Sequence, residues 1–188
     1  MTALEPLPLP VLPERELDSH KGTYGAVLVV AGSRRYPGAA VLTALGAARS
    51  GAGLVRLALP RGIVPSVVPA VPFATVLPCT ETGEGQFAAG ALAEILGEAE
   101  VCQSAVIGPG LGQSEETGRL LSELLPALEL PVVLDADALN LLARGGLDVL
   151  RRRHAPTILT PHPGEFARLT GADAPSRSER VAQAAELA

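Results

Sequence analysis

The chain has no tryptophan and only 3% aromatic residues, and its net charge is -5. It therefore lacks both the stacking platforms and the basic groove that single-stranded nucleic acid usually needs, and nucleic acid is excluded as a partner. Cysteine is scarce too. Cys79 and Cys102 stand in unrelated contexts with neither CxxC nor metal-ligand spacing, so no disulfide framework is implied. They read as reduced, buried or half-buried thiols of a cytoplasmic protein. The start, Met1 to Pro13, has no basic region, and Pro6, Pro8, Pro10 and Pro13 interrupt its apolar residues, which argues against a signal peptide or membrane helix. Residues 1–20 are expected to form an extended lead-in. Neither GxGxxG nor GxxxxGK[ST] occurs, which disfavours a simple Rossmann dehydrogenase and a P-loop enzyme. GxSxG and HExxH are likewise missing, so hydrolase and zinc-protease readings have no support.

What is present is apolar and regularly punctuated. With 188 residues, 47% hydrophobic and a mean hydropathy of +0.30, the chain fits one domain whose strands are covered on both faces. Ala26 to Ala31 is a continuous apolar run, expected as a buried strand. Further strands are expected at Leu54 to Leu59, Ala74 to Leu77, Ser104 to Ile107, Pro131 to Leu134 and Thr157 to Thr160. Helices are expected over Ala39 to Ser50, Phe87 to Leu96, Ala138 to Ala143, Phe166 to Leu169 and Ser178 to Leu187. Ser114 is a plausible N-cap, followed by Glu115, Glu116 and a leucine stripe at 120, 121, 124, 125 and 128. This alternation argues for a three-layer α/β fold with a mainly parallel sheet and right-handed crossovers, whose ligands bind at the carboxyl ends of the strands.

Three strand-end loops carry the candidate chemistry: 32–40, 108–112 and 160–165. Gly108, Gly110 and Gly112 would let backbone amides approach a phosphate or pyrophosphate at a helix start, while the alternative is a tight strand-to-helix turn. Asp135 and Asp137 cluster at another strand end. Asp137 is read as a helix cap, and Asp135 as the better candidate for a metal- or water-linked network. In Thr160-Pro161-His162-Pro163-Gly164-Glu165, two prolines hold His162 out stiffly and Glu165 opens a helix. That stretch reads equally as a surface turn or as a site. His20 and His154 have no supporting constellation.

Taken together, Lys21 to Gly25, Gly32-Ser33 with Tyr36 to Ala40, Arg49 to Val55, Gly108 to Gly112, Leu134 to Asn140 and Thr160 to Glu165 closely resemble the ADP/ATP-dependent NAD(P)H-hydrate dehydratases. Six motifs in order are far more specific than any one of them. The resemblance implies a ribokinase-like α/β/α domain over residues 21–188. It implies dehydration of the hydrate of NADH or NADPH, with ADP or ATP as co-substrate and Mg²⁺. By analogy Gly38, Ala39, Gly110 and His162 would line the hydrated dinucleotide. Gly108, Gly112 and Asp135 are the candidate nucleotide- and phosphate-binding residues. Glu165 holds the place of the ribokinase-type acid that acts on Mg²⁺ indirectly, with His162 in place of the family's Asn. A homo-oligomer without membrane attachment is expected.

The resemblance also marks what the chain lacks. The family continues with a Gly-(Ser/Thr)-Gly-Asp motif, whose amides form an anion hole and whose Asp is the catalytic base. No Gly-x-Gly-Asp occurs in this sequence, and Gly171-Ala172-Asp173, just after the Glu165 helix, is no substitute. The expectation is a domain without its C-terminal part and without a preceding epimerase domain, the catalytic residue remaining unknown. Two alternatives accompany it. One is a hydroxyethylthiazole-type small-molecule kinase, disfavoured because that family's Asn is His162 here. The other is a catalytically dead dinucleotide-binding fragment.

Overall fold

The computed structural model describes residues 11, 14–171 and 176–187. Most of the proline-rich start, the Ala172-Asp173 step and Ala188 lie outside the described residues. Six strands form one sheet: β1 (Ala26–Val30), β2 (Leu54–Pro60), β3 (Thr75–Cys79), β4 (Ser104–Ile107), β5 (Val132–Leu134) and β6 (Thr157–Leu159). Their order is β3-β2-β1-β4-β5-β6, and every neighbouring pair is parallel. The helices are α1 (Pro37–Arg49), α2 (Val64–Val67), α3 (Leu92–Ala99), α4 (Glu115–Ala127), α5 (Asp137–Gly145), α6 (Asp148–Arg151), α7 (Pro163–Thr170) and α8 (Arg177–Leu187).

Local chemistry explains most of these boundaries. β1 contains no polar residue because it lies inside the sheet, where all of its residues but the half-buried Val27 are shut away from water. Pro78 is accommodated in β3 because that strand lies at an edge, where a missing N–H costs little. Ser114 caps α4 as expected, its Oγ accepting from the Thr117 amide at 3.2 Å, and Leu120, Leu121, Leu124 and Leu125 are buried. α1 starts two residues earlier than the apolar pattern suggested, because Pro37 fits the first helical turn, where its missing donor is not needed. The helix expected from Phe87 begins properly only at Leu92. Phe87 pairs in an antiparallel bridge with Glu81, and the Ala88 amide donates to Thr80, so this stretch is drawn into a hairpin first. The proline-interrupted segment after β2 is a chain of short turns around α2, and α6 is a single turn with no sequence signal strong enough to reveal it.

Two cores flank the sheet. One packs α1 and α2 onto Val29, Val55, Leu57 and Leu59. The other, larger core packs α3, α4 and α5 onto Leu28, Val30, Ala105, Ile107, Val132 and Leu134. The three-layer arrangement is thus complete over the β1–β2 side. Over β4 to β6 the expected second cover is absent among the described residues. Val106 and Val133 are only half-buried there, Ile158 is 59% exposed, and these residues line an apolar groove of about 850 Å³ running to the end of α1. Uncovered aliphatic sheet surface next to an edge strand favours self-association. The 188-residue chain is expected to elute as associated species in light-scattering chromatography, and Ile158→Glu to shift it towards monomer. A monodisperse wild-type monomer would contradict this.

Candidate functional site

The strand order reverses between β1 and β4, so β1 leads to α1 on one face while β4 leads to α4 on the other. The two loops diverge and leave a crevice at the carboxyl edge, the usual ligand position in such sheets. Here the loops are stitched together. The Gly32 amide donates to Pro109 O at 2.8 Å, and the Gly108 amide donates to Val30 O at 3.2 Å.

The alternating glycines are explained first by the chain's own packing. At Gly108, φ is +136° and a Cβ would lie 1.8 Å from the Asp135 carbonyl oxygen. At Gly110, φ is +69° and a Cβ would lie 2.7 Å from Ala39 Cβ and 2.8 Å from Tyr36 Cβ. These positions require glycine whether or not a ligand binds. Their amides are partly committed as well. Gly108 donates to Val30, Leu111 to Gly108, and Gly112 to Asp137 Oδ2 at 2.9 Å. The loop therefore offers a phosphate fewer free donors than its sequence suggests. Gly38 sits in the first turn of α1 with open space where a Cβ would point.

At the end of β5 the backbone is strained. Ala136 has φ 52° and ψ -116°, a conformation that costs a residue with a side chain on the order of 1–3 kcal/mol. The strain turns Asp137 towards the β4 loop. Its carboxylate accepts from the Gly112 amide and, through Oδ1, from Gln113 Nε2 at 2.8 Å. Asp137 therefore does not cap α5, as expected from sequence. It occupies the first helical position and ties two strand-end loops together. The carboxylate of Asp135, half-buried, has no hydrogen-bond or ion-pair partner among the described residues.

His162 is the N-cap of α7. Its Nδ1 accepts from the Gly164 and Glu165 amides at 3.0 and 3.3 Å, and its own amide donates to Glu165 Oε2 at 3.0 Å. Its Nε2 lies 3.2 Å from Glu165 Oε1. Since Nδ1 accepts, the ring proton belongs on Nε2, facing that carboxylate. Glu165 is 6% exposed, so this His162 box is what keeps its carboxylate satisfied. The same box forms at His20, whose Nδ1 accepts from Gly22 while its amide donates to Thr23. His162 and Glu165 stand two strands from β4, roughly 10 Å along the sheet edge. Arg168 of α7 donates from Nε to Asn140 Oδ1 at 2.8 Å, which anchors α7 against α5.

The crevice holds a cavity of about 190 Å³ lined by Ser33, Arg35, Tyr36, Glu84, Gln86, Gly112, Gln113 and Asp137. Gln113 also belongs to an open groove of about 530 Å³ lined by Asn140, Ala143, Arg144 and Arg168. Of the residues expected from sequence, Ala39 meets Gly110, and Gly112 meets Asp137. His162 and Glu165 line neither cavity. Gln86, whose Oε1 accepts from the Ser114 amide, and Gln113 gave no sequence signal at all. Among the described residues, no group of three His, Cys, Asp or Glu side chains is placed to hold a metal ion. With both Glu165 oxygens facing His162, the residues present do not make a Mg²⁺ site.

A parallel α/β sheet wound in both directions, with polar loops converging on the point of reversal, defines the doubly wound α/β class, whose ligands bind at that edge. Residues 27–188 match the Carb_kinase family, NAD(P)H-hydrate dehydratase, and the chain belongs to it. It is 43% identical over 185 residues to the bifunctional NAD(P)H-hydrate repair enzyme Nnr of Thermofilum pendens, covering 98% of this chain and 34% of that protein. It is 42% identical over 160 residues to the ADP-dependent (S)-NAD(P)H-hydrate dehydratase of Bacillus subtilis, covering 85% of this chain and 52% of that one. A crystal structure of the B. subtilis ADP/ATP-dependent NAD(P)H-hydrate dehydratase, co-crystallized with ATP/Mg²⁺, superposes with a TM-score of 0.69 at 36% identity. That match covers 92% of this chain and 56% of that one. A ribokinase-like superfamily protein of Enterococcus faecalis shares the fold, with a TM-score of 0.77 at 23% identity. The chain thus spans between a third and about half the length of these relatives.

The capping role of His162 is testable by substitution. His162→Ala is expected to lower stability by about 1 kcal/mol through loss of the cap, whereas His162→Asn, which keeps a good capping group, is expected to cost much less. Thermal melts of both variants check this, and equal losses would contradict it.

Proposed function

We propose that this chain is the dinucleotide-binding part of a nucleotide-dependent NAD(P)H-hydrate dehydratase, which removes water from the hydrate of NADH or NADPH with ADP or ATP as co-substrate. The observation that carries the proposal is the convergence of the β1, β4 and β5 loops at the point of strand reversal, in a chain that belongs to the dehydratase family. Gly38, Ala39 and Gly110 would form one wall against the substrate, and His162 a wall further along the carboxyl edge. Asp135, whose carboxylate has no partner among the described residues, is a free anionic group at that edge and would meet the nucleotide side through water. Glu165 acts by holding His162 and the tip of β6. Any Mg²⁺ of the reaction would arrive with the nucleotide's phosphates.

The chemistry of water removal needs a base and an oxyanion-stabilising set of amides, and no residue described here is assigned either role. The proposal therefore assigns binding and orientation to this chain and the acid–base work to sequence outside it, with residues 21–188 as one incomplete ribokinase-like domain. Two free buried thiols support a reducing compartment, and a cytoplasmic location belongs to this proposal. The uncovered sheet face fits a homo-oligomer.

The test is an assay on the 188 residues joined to whatever coding sequence follows in frame. Incubation with hydrated NADH and either ADP or ATP, with Mg²⁺, is expected to restore the absorbance of NADH, while the 188-residue chain alone binds hydrate without turnover. No recovery with either nucleotide by the extended protein would overturn the proposal.

A further inference from the structure

We infer that the cavity at the strand reversal takes the uncharged polar end of the ligand, the hydrated nicotinamide ring with its carboxamide, and that the Ser33 hydroxyl is the group that recognises it. This rests on the dinucleotide reading above and goes further by giving the ligand an orientation.

Ser33 follows directly on β1 and is 1% exposed, yet its Oγ has no hydrogen-bond partner among the described residues. A buried hydroxyl left unpaired destabilises the folded chain, and a serine that lines a cavity in that state is one whose partner is a ligand or a bound water. The neighbours determine what kind of ligand. Asp137 and Glu84 bring two carboxylates to the same cavity against the single guanidinium of Arg35, a net negative balance that disfavours phosphate. Gln86 and Gln113 supply amides, so the lining can both donate to and accept from a neutral group. A volume of about 190 Å³ admits a single six-membered ring with its substituents and is too small for a dinucleotide.

The rest of the ligand has a matching exit. Gln113 is shared with the open groove, whose charged lining residues are Arg144 and Arg168. Each guanidinium is already oriented by one bond. Arg144 donates to Gln113 O at 2.8 Å and Arg168 donates to Asn140 Oδ1, which leaves the remaining N–H groups directed by a fixed fork. The amide-lined end is the smaller and carries two carboxylates to one guanidinium, while the larger groove carries guanidinium charge alone. The ring end therefore enters first and the phosphate-bearing end stays at the arginines.

Ser33→Ala separates this assignment from a structural role, because it removes an unpaired polar group and leaves the fold intact. Calorimetry would compare wild type and Ser33→Ala with two probes, hydrated NADH and ADP-ribose, which has the phosphates and riboses but no nicotinamide ring. The expected result is an unchanged or raised melting temperature without ligand, about five- to tenfold weaker binding of hydrated NADH, and unchanged binding of ADP-ribose. Equal loss for both probes, or no loss for either, would overturn the orientation while leaving dinucleotide binding in place. A wild-type chain that binds neither probe would overturn the dinucleotide reading itself, and this assignment with it.

Discussion

The site depends on one close approach, that of Gly108 to the carbonyl oxygen of Asp135. At that point the loop leaving β4 lies against the loop leaving β5 with no room for a side chain. The contact lets the Gly108 amide reach Val30 and brings Gly112 to Asp137, so that the ends of β1, β4 and β5 form one surface. Any side chain at residue 108 would have to displace backbone, in a left-handed region that already disfavours it. Strain at Ala136 belongs to the same arrangement. The backbone there takes an unfavourable turn, offset by the bonds that Asp137 then makes to Gly112 and Gln113.

The His162 stretch illustrates how a functional-looking motif can have a local explanation that does not cancel the functional one. His-Pro-Gly-Glu has the spacing of a capping box, in which the first residue accepts from the helix amides and the fourth reaches back. His20-Lys21-Gly22-Thr23 builds the same box on an exposed turn. The capping geometry alone therefore does not mark a site. What distinguishes residues 162–165 is their place at the carboxyl edge of the sheet and the burial of Glu165, which makes the imidazole a fixed feature of that edge. An asparagine at residue 162 could fill the same capping role, which accounts physically for the exchange of Asn and His that the sequence resemblance pointed to.

Much of the fold was legible because it is local. The apolar runs of β1, β2 and β4 and the leucine stripe of α4 carry their own periodicity, and all six strands appear near their expected places. The helix expected at Phe87 began late because Thr80 and Glu81 compete for that stretch across a turn. The site was legible only in outline. Glycines at residues 108, 110 and 112 announce a close approach, but sequence cannot say whether the approaching group is a ligand or the protein itself, and here it is the Asp135 backbone at Gly108, the Ala39 and Tyr36 side chains at Gly110 and the Gln86 side chain at Gly112. Asp137 was misread as a cap because its true partners, Gly112 and Gln113, lie 25 and 24 residues away. Gln86 and the unpaired hydroxyl of Ser33 matter only once β1 and β4 are known to be neighbours. The uncovered face over β4 to β6 was hidden for a different reason. Its strands are apolar throughout, and composition reports what a face needs, not whether another element has met that need.

The central claim is that the loops after β1, β4, β5 and β6 act as one dinucleotide-binding edge. Amide chemical-shift mapping of the 188-residue chain titrated with hydrated NADH tests it most directly. The account predicts saturable shifts concentrated at Ser33, Gly38, Ala39, Gly110, Gln113 and His162, with Val106, Val133 and Ile158 on the uncovered face unaffected. Shifts confined to that apolar face, or an unchanged spectrum from a folded chain, would contradict it.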